Sequence, residues 1–378
     1  MTSRCRQVHG KQVFTNGTTQ TLKRSLRDRL LQSTLVNVLT GPHGVDSYTE
    51  QVDRAWTQRE ARATVIEVRR STPRSVTLTL EPNAVCAQTW SQFRAGQHLN
   101  VTVEVDGRRH TRCYSPANGE RSTHIELTIG RHDGGRVSTF LCDHAYPGMV
   151  VGIGDIGGEF TLPETPARRI LLVSGGSGIT PVMAMLRSLR SGYITAGGPL
   201  EIAFVHYARS PEEACYADEL AAMADVRVLH GYTRSGAGDL EGHVTQAHLS
   251  AAMHAPEAVY VCGPPALVDA VRAHHPAALA ETFVPPVFTI DAESAGGAVR
   301  FTDSALTIED DGRPLLQQAE AAGLKPESGC RMGICHSCTR RKTKGAVKNL
   351  TTGVVSTTDD EDVQICVSVP LGDVELAL

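Results

Sequence analysis

The sequence lacks the features of a membrane-spanning or secreted protein. No apolar stretch approaches the roughly 18 residues of a transmembrane helix, and the longest one, Leu30–Leu39, is interrupted by four polar residues. The N-terminal region is polar and contains no apolar signal-peptide core. Six of the cysteines, at positions 5, 86, 113, 142, 215 and 262, are scattered without the spacing of a disulfide framework. We therefore expect a protein of the reducing cytosol.

The chain also lacks the residue groupings of acid–base, nucleophilic or histidine-based metal catalysis. Its 15 histidines show no metal-binding spacing, and we interpret His206, His274 and His275 as structural. There is no internal repeat or low-complexity segment, and no nucleic-acid partner is expected. With 41% hydrophobic and 21% charged residues, the 378-residue chain has the composition of a globular protein with two or three domains.

Basic residues are concentrated at the start of the chain. Residues 1–30 hold seven Arg and Lys but one acidic residue, whereas the whole chain has a net charge of −4. A basic arm on an acidic body suits an anionic lipid surface or an acidic partner. Peripheral membrane contact through residues 1–30 is therefore one hypothesis, and a solvated tail is the alternative.

Four cysteines near the C-terminus have the spacing of iron–sulfur ligands. They are Cys330, Cys335, Cys338 and Cys366. A C-x4-C-x2-C loop with a distant fourth cysteine is the plant-type pattern for a [2Fe–2S] cluster. A structural zinc site would more often show two C-x2-C pairs, and this loop has one. Buried or disulfide-forming cysteines are the remaining alternative. The spacing predicts a carrier of single electrons.

The hydrophobic pattern predicts an arm followed by a barrel in the N-terminal half. Residues 1–57 are predicted to be a basic arm with a short helix at Leu22–Leu39. Residues 58–165 show short alternating strands, which are typical of an antiparallel β-barrel. The strands are predicted at Thr64–Val68, Ser75–Leu80, Leu99–Val105, Thr123–Ile129 and Met149–Ile153. Asp106-Gly107 is predicted to be a hairpin turn.

Two further folding units are predicted in the C-terminal half. Residues 166–284 alternate continuous apolar runs with helical segments, as in an α/β doubly wound parallel sheet. A Pro-rich joint at Val284-Pro285-Pro286 follows. Residues 287–378 show a hairpin, a helix at Arg313–Ala322 and the cysteine loop, which predicts a small α+β ferredoxin-like fold of the β-grasp type.

Two segments of the predicted barrel have residues that suit a flavin. Arg112, Tyr114 and Ser115 end one strand, and a flavin needs a cation near its phosphates, an aromatic face and a hydroxyl near N5. A glycine turn then opens a helix at Gly134–Leu141, where free N–H groups and the helix dipole suit a pyrophosphate. A surface strand and an ordinary helix start are the alternatives.

Two loops of the predicted parallel sheet suit a dinucleotide. Gly176-Ser177-Gly178-Ile179-Thr180-Pro181 follows a buried strand, so its glycines allow close approach, Thr180 can cap the helix and Pro181 suits the first helical position. Cys262-Gly263-Pro264-Pro265 ends another strand, at the sheet edge where such folds bind ligands. Cys262 alone is equally consistent with a core residue.

In this order, the motifs resemble the ferredoxin–NAD(P)+ reductase superfamily with a C-terminal plant-type [2Fe–2S] ferredoxin domain. The likeness covers roughly residues 60–378. It is greatest to the NADPH reductases of membrane acyl-CoA (stearoyl-CoA) desaturases, through Met332–Cys338, Gln364–Pro370 and Val36–Pro42. His336 is a departure, because ferredoxin loops often have a small residue there.

The resemblance implies roles for particular residues. Flavin binding is implied for Arg112, Tyr114, Ser115, Gly135, Val137 and Ser138, and nucleotide binding for Gly176, Gly178, Thr180 and Cys262. Ser115 and Cys262 are the implied catalytic positions. FAD is expected because the helix start reads Gly-x-Val-Ser-x-x-Leu, and FMN is the alternative because phthalate-dioxygenase-type reductases share this domain order.

The residues after two strands bear on the choice between NADPH and NADH. An acidic residue after the second strand would hold the ribose diol of NADH, whereas Arg suits a 2′-phosphate. Here Arg209-Ser210 and Thr233-Arg234 follow successive predicted strands. Arg209, Thr233 and Arg234 therefore favour NADPH, with NADH as the alternative.

The electron acceptor is predicted to be a protein. Arg331, Arg340, Arg341, Lys342, Lys344 and Lys348 surround the cluster motif. This charge predicts an acceptor with an acidic docking patch, and a solvated basic face is the alternative. The resemblance implies a membrane-bound di-iron desaturase acting in fatty acid desaturation. The reductase of an aromatic-ring or other di-iron or Rieske oxygenase, and an iron–sulfur redox sensor, are the competing hypotheses.

Overall fold

A computed structural model describes residues 46–192, 199–283 and 296–378. The predicted helix at Leu22–Leu39, the basic residues 1–30 and the joint at 284–286 lie outside the described residues. The chain divides into two units, Met1–Arg59 and Glu60–Leu378. Within the first unit, helix α1 spans Asp46–Val52, and the carboxylate of Asp46 accepts hydrogen bonds from Thr57 Oγ1 and the Gln58 N–H, both at 3.0 Å.

Six antiparallel strands form a barrel around one apolar core. They are β1 (Arg62–Thr72), β2 (Ser75–Pro82), β3 (His98–Val105), β4 (Arg108–Tyr114), β5 (Ile125–Gly130) and β6 (Val150–Gly157). They pair in the order β4-β3-β6-β1-β2-β5. Alternate residues such as Leu78, Leu80 and Leu127 enter the core. Helices α2 (Ala84–Trp90) and α3 (Arg136–His144) pack on the same core.

A six-stranded parallel sheet with helices on both faces follows the barrel. Its strands are β7 (Arg169–Gly175), β8 (Glu201–Ala208), β9 (Arg227–Tyr232), β10 (Leu240–Glu241), β11 (Ala258–Cys262) and β12 (Leu279–Glu281), in the order β10-β9-β8-β7-β11-β12. Its helices are α4 (Ile179–Arg190), α5 (Ala217–Ala221), α6 (Gln246–Ala252) and α7 (Pro265–His274). Leu172 and Phe204 face α4, whereas Leu171 and Val205 face α6 and α7. Because both faces are covered, the strands read as continuous apolar runs.

The C-terminal unit is a small α+β fold of two sheets and one helix. It contains β13 (Ala298–Phe301), β14 (Leu306–Glu309), α8 (Leu315–Ala321), β15 (Thr339–Lys344), β16 (Val347–Asn349), β17 (Val355–Ser356), β18 (Glu361–Gln364), β19 (Ser368–Pro370) and β20 (Val374–Leu376). The sheet orders are β14-β13-β20-β15-β18 and β17-β16-β19. Phe301, Leu315 and Leu376 meet in its core. The predicted fold class, a barrel, a parallel sheet and a ferredoxin-like unit, is confirmed.

Some local predictions are confirmed and others change. Asp106 and Gly107 have φ of 52° and 70° and join β3 to β4, as a type I′ turn requires. Helix α4 begins at Ile179, two residues before the predicted start, so Pro181 is its third residue rather than its first. Helix α2 was not predicted, although the Asn83 side chain caps it by accepting a hydrogen bond from the Cys86 N–H at 2.8 Å.

Candidate functional site

A cavity of about 390 Å³ opens where the barrel, the carboxyl edge of the parallel sheet and the cysteine loop meet. Its barrel wall includes Arg112, Tyr114, Ser115 and residues 135–138. The sheet edge contributes Ser177, Thr180, Glu281 and Phe283, and the loop contributes Gly329, Cys330, Arg331, Met332 and Ile334. The predicted flavin segments, the first nucleotide loop and the cluster loop therefore border one cavity, whose volume suits a bound cofactor.

The end of strand β4 presents a polar atom that needs a partner. Ser115 is 4% exposed, and its buried Oγ has no hydrogen-bond partner among the described residues. An unsatisfied buried hydroxyl costs about 1–3 kcal/mol, so a ligand atom at this position would stabilise the site. Burial raises the pKa of the Tyr114 phenol, which stays neutral. Arg112 lines the cavity and donates from Nη1 to the Thr111 and Ser328 carbonyls at 2.7 and 3.4 Å.

The turn before helix α3 is shaped for an anion. Gly134 has φ of +77°, and a Cβ on Gly135 would lie 2.5 Å from Ser138 Oγ, so this turn needs glycine. Ser138 Oγ accepts from the His132 N–H at 3.2 Å, and Val137 anchors the helix in the barrel core. The first N–H groups of the helix thus lie at the cavity wall.

Arg136 is a cavity residue that the sequence analysis missed. It lies in the first turn of α3, and its guanidinium and that of Arg112 both lower the pKa of His110, after the larger effect of burial. Two guanidinium groups on one wall, beside a helix N-terminus, match the two charges of a pyrophosphate. The signal available in the sequence was the basic residue directly after Gly134-Gly135.

The loop after β7 uses its glycines in two different ways. Gly176 has φ of +54°, and a Cβ there would meet no atom within 4 Å, so its backbone is open to a ligand. A Cβ on Gly178 would lie 2.3 Å from the Cys262 carbonyl oxygen, so Gly178 is required by packing between two loops. The sequence predicted that Thr180 caps α4. In the structure Thr180 lines the cavity and lies inside the first turn of α4, so it does not cap the helix. Its Oγ1 donates to the Ser177 carbonyl at 3.3 Å, because the helix starts earlier.

Cys262 and Glu281 lie side by side at the ends of β11 and β12. Cys262 is fully buried, is not among the residues that line the cavity, and has a thiol pKa raised well above its usual value by burial. Glu281 lines the cavity, and burial raises the pKa of its carboxyl to about 7. Its Oε1 lies 3.9 Å from His98 Nδ1, and its Oε2 has no partner among the described residues. Glu281 was not predicted from sequence.

The residues predicted to choose the nucleotide come together at the carboxyl edge of the sheet. The Thr233 N–H donates to the Ala208 carbonyl at 3.0 Å, and the Arg234 N–H donates to the Arg209 carbonyl at 2.9 Å. Arg209 Nη1 lies 3.7 Å from a Glu213 carboxylate oxygen. Arg234 is exposed and has no ion pair within the described ranges.

The four cluster cysteines form two sulfur pairs. Cys330 and Cys335 exchange hydrogen bonds, with the Cys330 N–H 3.1 Å from Cys335 Sγ and the Cys335 N–H 3.3 Å from Cys330 Sγ. Cys338 and Cys366 form the second pair, and the hydrogen bond from Cys366 lowers the pKa of the Cys338 thiol to about 7. Two pairs of sulfur ligands fit the two irons of a [2Fe–2S] cluster.

Most of the basic residues near the cluster are already partnered. Arg331 is paired with Glu320 and Arg341 with Asp362. The Arg340 guanidinium bonds to backbone carbonyls, and Lys342 is fully buried. Lys344 and Lys348 remain exposed without an ion pair in the described part of the chain. The net positive charge offered to a partner is therefore smaller than the sequence suggested.

Three family models match the chain in the order of its folding units. An oxidoreductase FAD-binding domain matches residues 85–161, and an oxidoreductase NAD-binding domain matches residues 172–273. A 2Fe-2S iron-sulfur cluster binding domain matches residues 300–371. The protein therefore binds FAD, NAD(P)H and a [2Fe–2S] cluster, and the residues around the cavity fit these groups.

Relatives share this arrangement over most of the chain. An NADPH oxidoreductase of Mycobacterium tuberculosis is 31% identical, over 89% of this chain and 89% of its own length. A glycine betaine monooxygenase reductase subunit of Pseudomonas aeruginosa is 30% identical, over 75% of this chain and 86% of its own length. The structure of phthalate dioxygenase reductase has a TM-score of 0.56 and 24% identity, and it covers 85% of this chain and 98% of that chain, which supports the fold. The chain belongs to the family of NAD(P)H-dependent flavin oxidoreductases with a C-terminal [2Fe–2S] ferredoxin domain.

Proposed function

We propose that this protein takes a hydride from NADPH and passes the electrons, one at a time, through FAD and the [2Fe–2S] cluster to an oxygenase. The observation that carries this proposal is the shared cavity, which places Ser115, Thr180 and Cys330 on the walls of one space. Donor, flavin and cluster sites that border one cavity need no diffusing carrier between them. The relatives described above support an oxygenase acceptor through their names.

The side chains divide the work of holding the cofactors. Bound FAD accepts a hydride and returns its electrons singly. Arg112, Arg136 and the N-terminus of α3 would hold its pyrophosphate, with Gly135, Val137 and Ser138 shaping that turn. Tyr114 would offer an aromatic face to the flavin, and Ser115 Oγ, which has no partner among the described residues, would supply a hydrogen bond to it. Gly176, Gly178 and Thr180 shape the nucleotide path, while buried Cys262 supports Glu281, whose Oε2 holds or releases a proton at the cavity wall.

The preference for NADPH rests on Arg209, Thr233 and Arg234. Of these, Arg234 is the exposed cation with no ion pair among the described residues, so replacing it should raise the KM for NADPH about tenfold, the effect of losing one charged hydrogen bond. The KM for NADH should stay unchanged, because NADH has no 2′-phosphate. Arg227→Ala, at the opposite end of β9, is the matched control for Arg234→Ala. Equal effects on both nucleotides would contradict the preference.

The acceptor is the less defined part of the proposal. The desaturase hypothesis rests on Met332–Cys338 and Gln364–Pro370, and its third segment, Val36–Pro42, lies outside the described residues. None of the relatives named above has a desaturase in its name. None of the helices within the described ranges has the length and apolar character to cross a bilayer. Because the relatives named above include the reductase of a monooxygenase, we favour an aromatic-ring or other di-iron or Rieske oxygenase as the acceptor. The desaturase and the lipid contact of residues 1–30 stay predictions.

Stopped-flow spectroscopy of the cofactor-loaded protein tests the electron route. Mixing with NADPH in the absence of oxygen should bleach the flavin first and the cluster second. Ser115→Ala should slow the first phase about tenfold through loss of one hydrogen bond. The exposed Ser91→Ala is the control. A flavin that NADPH does not reduce, or a cluster that stays oxidised beside a reduced flavin, would overturn the proposal.

The choice of acceptor requires a second measurement. NADPH consumption should increase when a purified Rieske oxygenase component is added with its substrate, and to a lesser degree with membranes that contain an acyl-CoA desaturase. The reverse order would favour the desaturase. Rapid reduction of an artificial acceptor with neither partner present would separate an enzyme from a redox sensor.

A further inference from the structure

A fifth cysteine lies beside the cluster ligands. Within the described ranges, one group of three potential metal ligands has its ligand atoms within 4.8 Å of one another, and it consists of Cys113, Cys330 and Cys335. Cys330 and Cys335 belong to the cluster loop. Cys113 belongs to strand β4 of the barrel, between Arg112 and Tyr114 of the flavin cavity. Its sequence position gave no sign of this neighbourhood.

Contacts from both sides fix Cys113 in this position. Asn100, its partner across the β3–β4 ladder, accepts the Cys113 thiol hydrogen bond through Oδ1 at 3.0 Å. The Nδ2 of the same Asn100 lies 3.4 Å from the Cys335 carbonyl oxygen. A Cβ on Gly329 would lie 2.5 Å from Cys335 Sγ and 3.2 Å from the Thr111 carbonyl oxygen, so the loop passes close to β4 at a residue without a side chain. One amide therefore bridges the barrel thiol and the cluster loop.

The separation of these sulfurs is close to that of ligands on one metal. Thiolates around a tetrahedral metal with bonds of about 2.3 Å lie about 3.8 Å apart. The sulfur atoms of Cys113, Cys330 and Cys335 lie within 4.8 Å of one another, which exceeds this distance by at most about 1 Å. A small rotation of a Cys side chain can remove that difference. The pair Cys338 and Cys366 has no such third ligand in the described part of the chain. The two halves of the cluster site are therefore unequal.

We propose that Cys113 is an alternative ligand of the cluster, able to replace Cys330 or Cys335 on the iron that this pair holds. In the exchange, one iron–sulfur bond to Cys330 or Cys335 breaks and one to Cys113 forms. The Cys113 proton passes to the displaced thiolate, so neither charge nor oxidation state changes. A ligand that dissociates for a moment is then covered by the barrel thiol, which retains the iron.

Alanine variants test the exchange, because alanine offers no ligand atom. The set is Cys330→Ala, Cys330→Ala with Cys113→Ala, Cys330→Ala with Cys86→Ala, and Cys338→Ala. Cys86 is a buried barrel cysteine on α2, so its removal controls for the loss of any second thiol. After anaerobic reconstitution, iron and acid-labile sulfide are counted per chain, and bound flavin reports whether the barrel is folded.

The proposal predicts a distinct pattern of retention. Cys330→Ala, alone or with Cys86→Ala, should hold at least about tenfold more iron and sulfide than the Cys330/Cys113 double variant, because a [2Fe–2S] cluster needs four ligands. Cys338→Ala should be as empty as that double variant. Equal retention in Cys330→Ala and the Cys330/Cys113 double variant, whether high or low, would overturn the proposal.

A second measurement covers the case in which Cys330→Ala fails to fold. With Cys330, Cys335, Cys338 and Cys366 intact, Cys113→Ala should lose its cluster absorbance to an iron chelator several-fold faster than Cys86→Ala does. The flavin content of both should match the unmodified protein. Equal rates of loss would overturn the proposal.

Discussion

The barrel meets its two neighbours through junctions of very different construction. At the barrel–nucleotide junction, formed by Glu126, Thr128, Arg187, Tyr216 and Glu219, the Arg187 guanidinium donates to Glu126 at 2.9 Å and to Glu219 at 2.6 and 2.8 Å. It also donates to the Ala117 carbonyl at 2.7 Å and lies over the Tyr216 ring. The Tyr216 hydroxyl in turn bonds to Thr128 on the cavity wall.

The barrel–cluster junction is held by fewer and longer contacts. It consists of Asn100, Thr111, Arg112, Ser328 and Cys335. Among the described residues, the side-chain hydrogen bonds from Asn100 to the Cys335 carbonyl and from Arg112 to the Ser328 carbonyl cross it, and both measure 3.4 Å. This is the weak end of the hydrogen-bond range.

The difference between the two junctions matches the two reactions that take place across them, which are hydride transfer and electron transfer. Hydride transfer requires the donor carbon and the flavin to meet within about 3–3.5 Å in a fixed orientation. The nucleotide sheet is accordingly tied to the barrel by a partly buried, charged network. An electron can cross a wider gap and tolerates small changes of angle, so the cluster junction needs proximity rather than rigidity. Loss of a contact should therefore affect stability and hydride transfer at the first junction, and electron passage at the second.

The largest effect is expected from Arg187→Met. The change leaves the partly buried carboxylates of Glu126 and Glu219 without their cation, which should lower the free energy of unfolding by about 3 kcal/mol. Flavin reduction by NADPH should slow as well. Chemical denaturation and stopped-flow measurements provide both readouts.

Arg190→Met is the matched control on the same helix. Arg190 pairs with Asp225 at the surface, where an ion pair contributes about 0–1 kcal/mol. Equal losses in the two variants would mean that the junction does not depend on the Arg187 network.

The next effect concerns Glu281, which lies between the two junctions. Its carboxyl pKa is about 7 in the folded protein, against an ordinary value of 4.5. Below pH 4.5 the carboxyl is protonated in both the folded and the unfolded protein. Between pH 4.5 and 7 only the folded protein keeps the proton. The free energy of unfolding therefore falls as the pH rises through this range. Between pH 4.5 and pH 8, the free energy of unfolding should therefore fall by about 3 kcal/mol more in the unmodified protein than in Glu281→Gln.

Unfolding curves at several pH values check this prediction. Groups that face Glu281 include His98 and Cys262, and both are present in each protein compared. Glu241→Gln, an exposed change on the same sheet, should leave the pH profile unaltered. Parallel profiles for Glu281→Gln and the unmodified protein would show that folding does not raise the pKa of this carboxyl.

Asn100→Ala should separate stability from electron passage. Removing its hydrogen bonds to Cys113 and Cys335 should lower the free energy of unfolding by about 1 kcal/mol, because each is a single hydrogen bond. Reduction of the cluster by the flavin should slow several-fold, while flavin reduction by NADPH keeps its rate. Thr102→Ala is the control, since Thr102 bonds to Thr111 within the barrel at 2.7 Å. Slowing of both phases would contradict a role confined to the cluster junction.

The smallest effect is expected at the surface of the cluster domain. Lys344 and Lys348 are exposed cations close to the cluster motif that have no ion pair in the described residues, so Lys348→Glu should slow acceptor reduction by less than about fivefold. The effect should vanish above about 0.5 M salt, because screening removes long-range steering. Steady-state rates across a salt series check it, and internal flavin reduction is the control.

The features predicted best are those that depend on residues close together in the sequence. The apolar run at Ile170–Val173 predicted a buried strand because both faces of a parallel sheet are covered. The cysteine loop predicted its cluster because three ligands lie within nine residues of one another. Gly134-Gly135 predicted the turn that opens helix α3 for the same local reason.

What could not be predicted depends on contacts between distant segments. Arg112 and Ser328, which bring Cys113 to the cluster loop, are 216 residues apart along the chain. The basic residues near the cluster looked unpaired in the sequence because pairing of Arg331 with Glu320 depends on how α8 packs beside the loop. Gly178 looked like a ligand-binding glycine, whereas its close neighbour is the Cys262 carbonyl, in a loop that only the sheet order brings near.

The burial of Lys342 gives the ferredoxin domain an internal marker of its integrity. The side chain is fully enclosed, and its ammonium donates to the Gly345 and Thr358 carbonyls. An amine-acylating reagent should therefore label Lys344 and Lys348 promptly and spare Lys342 until the domain opens. The appearance of a labelled Lys342 peptide in mass spectrometry would time that opening, without reference to either coloured cofactor.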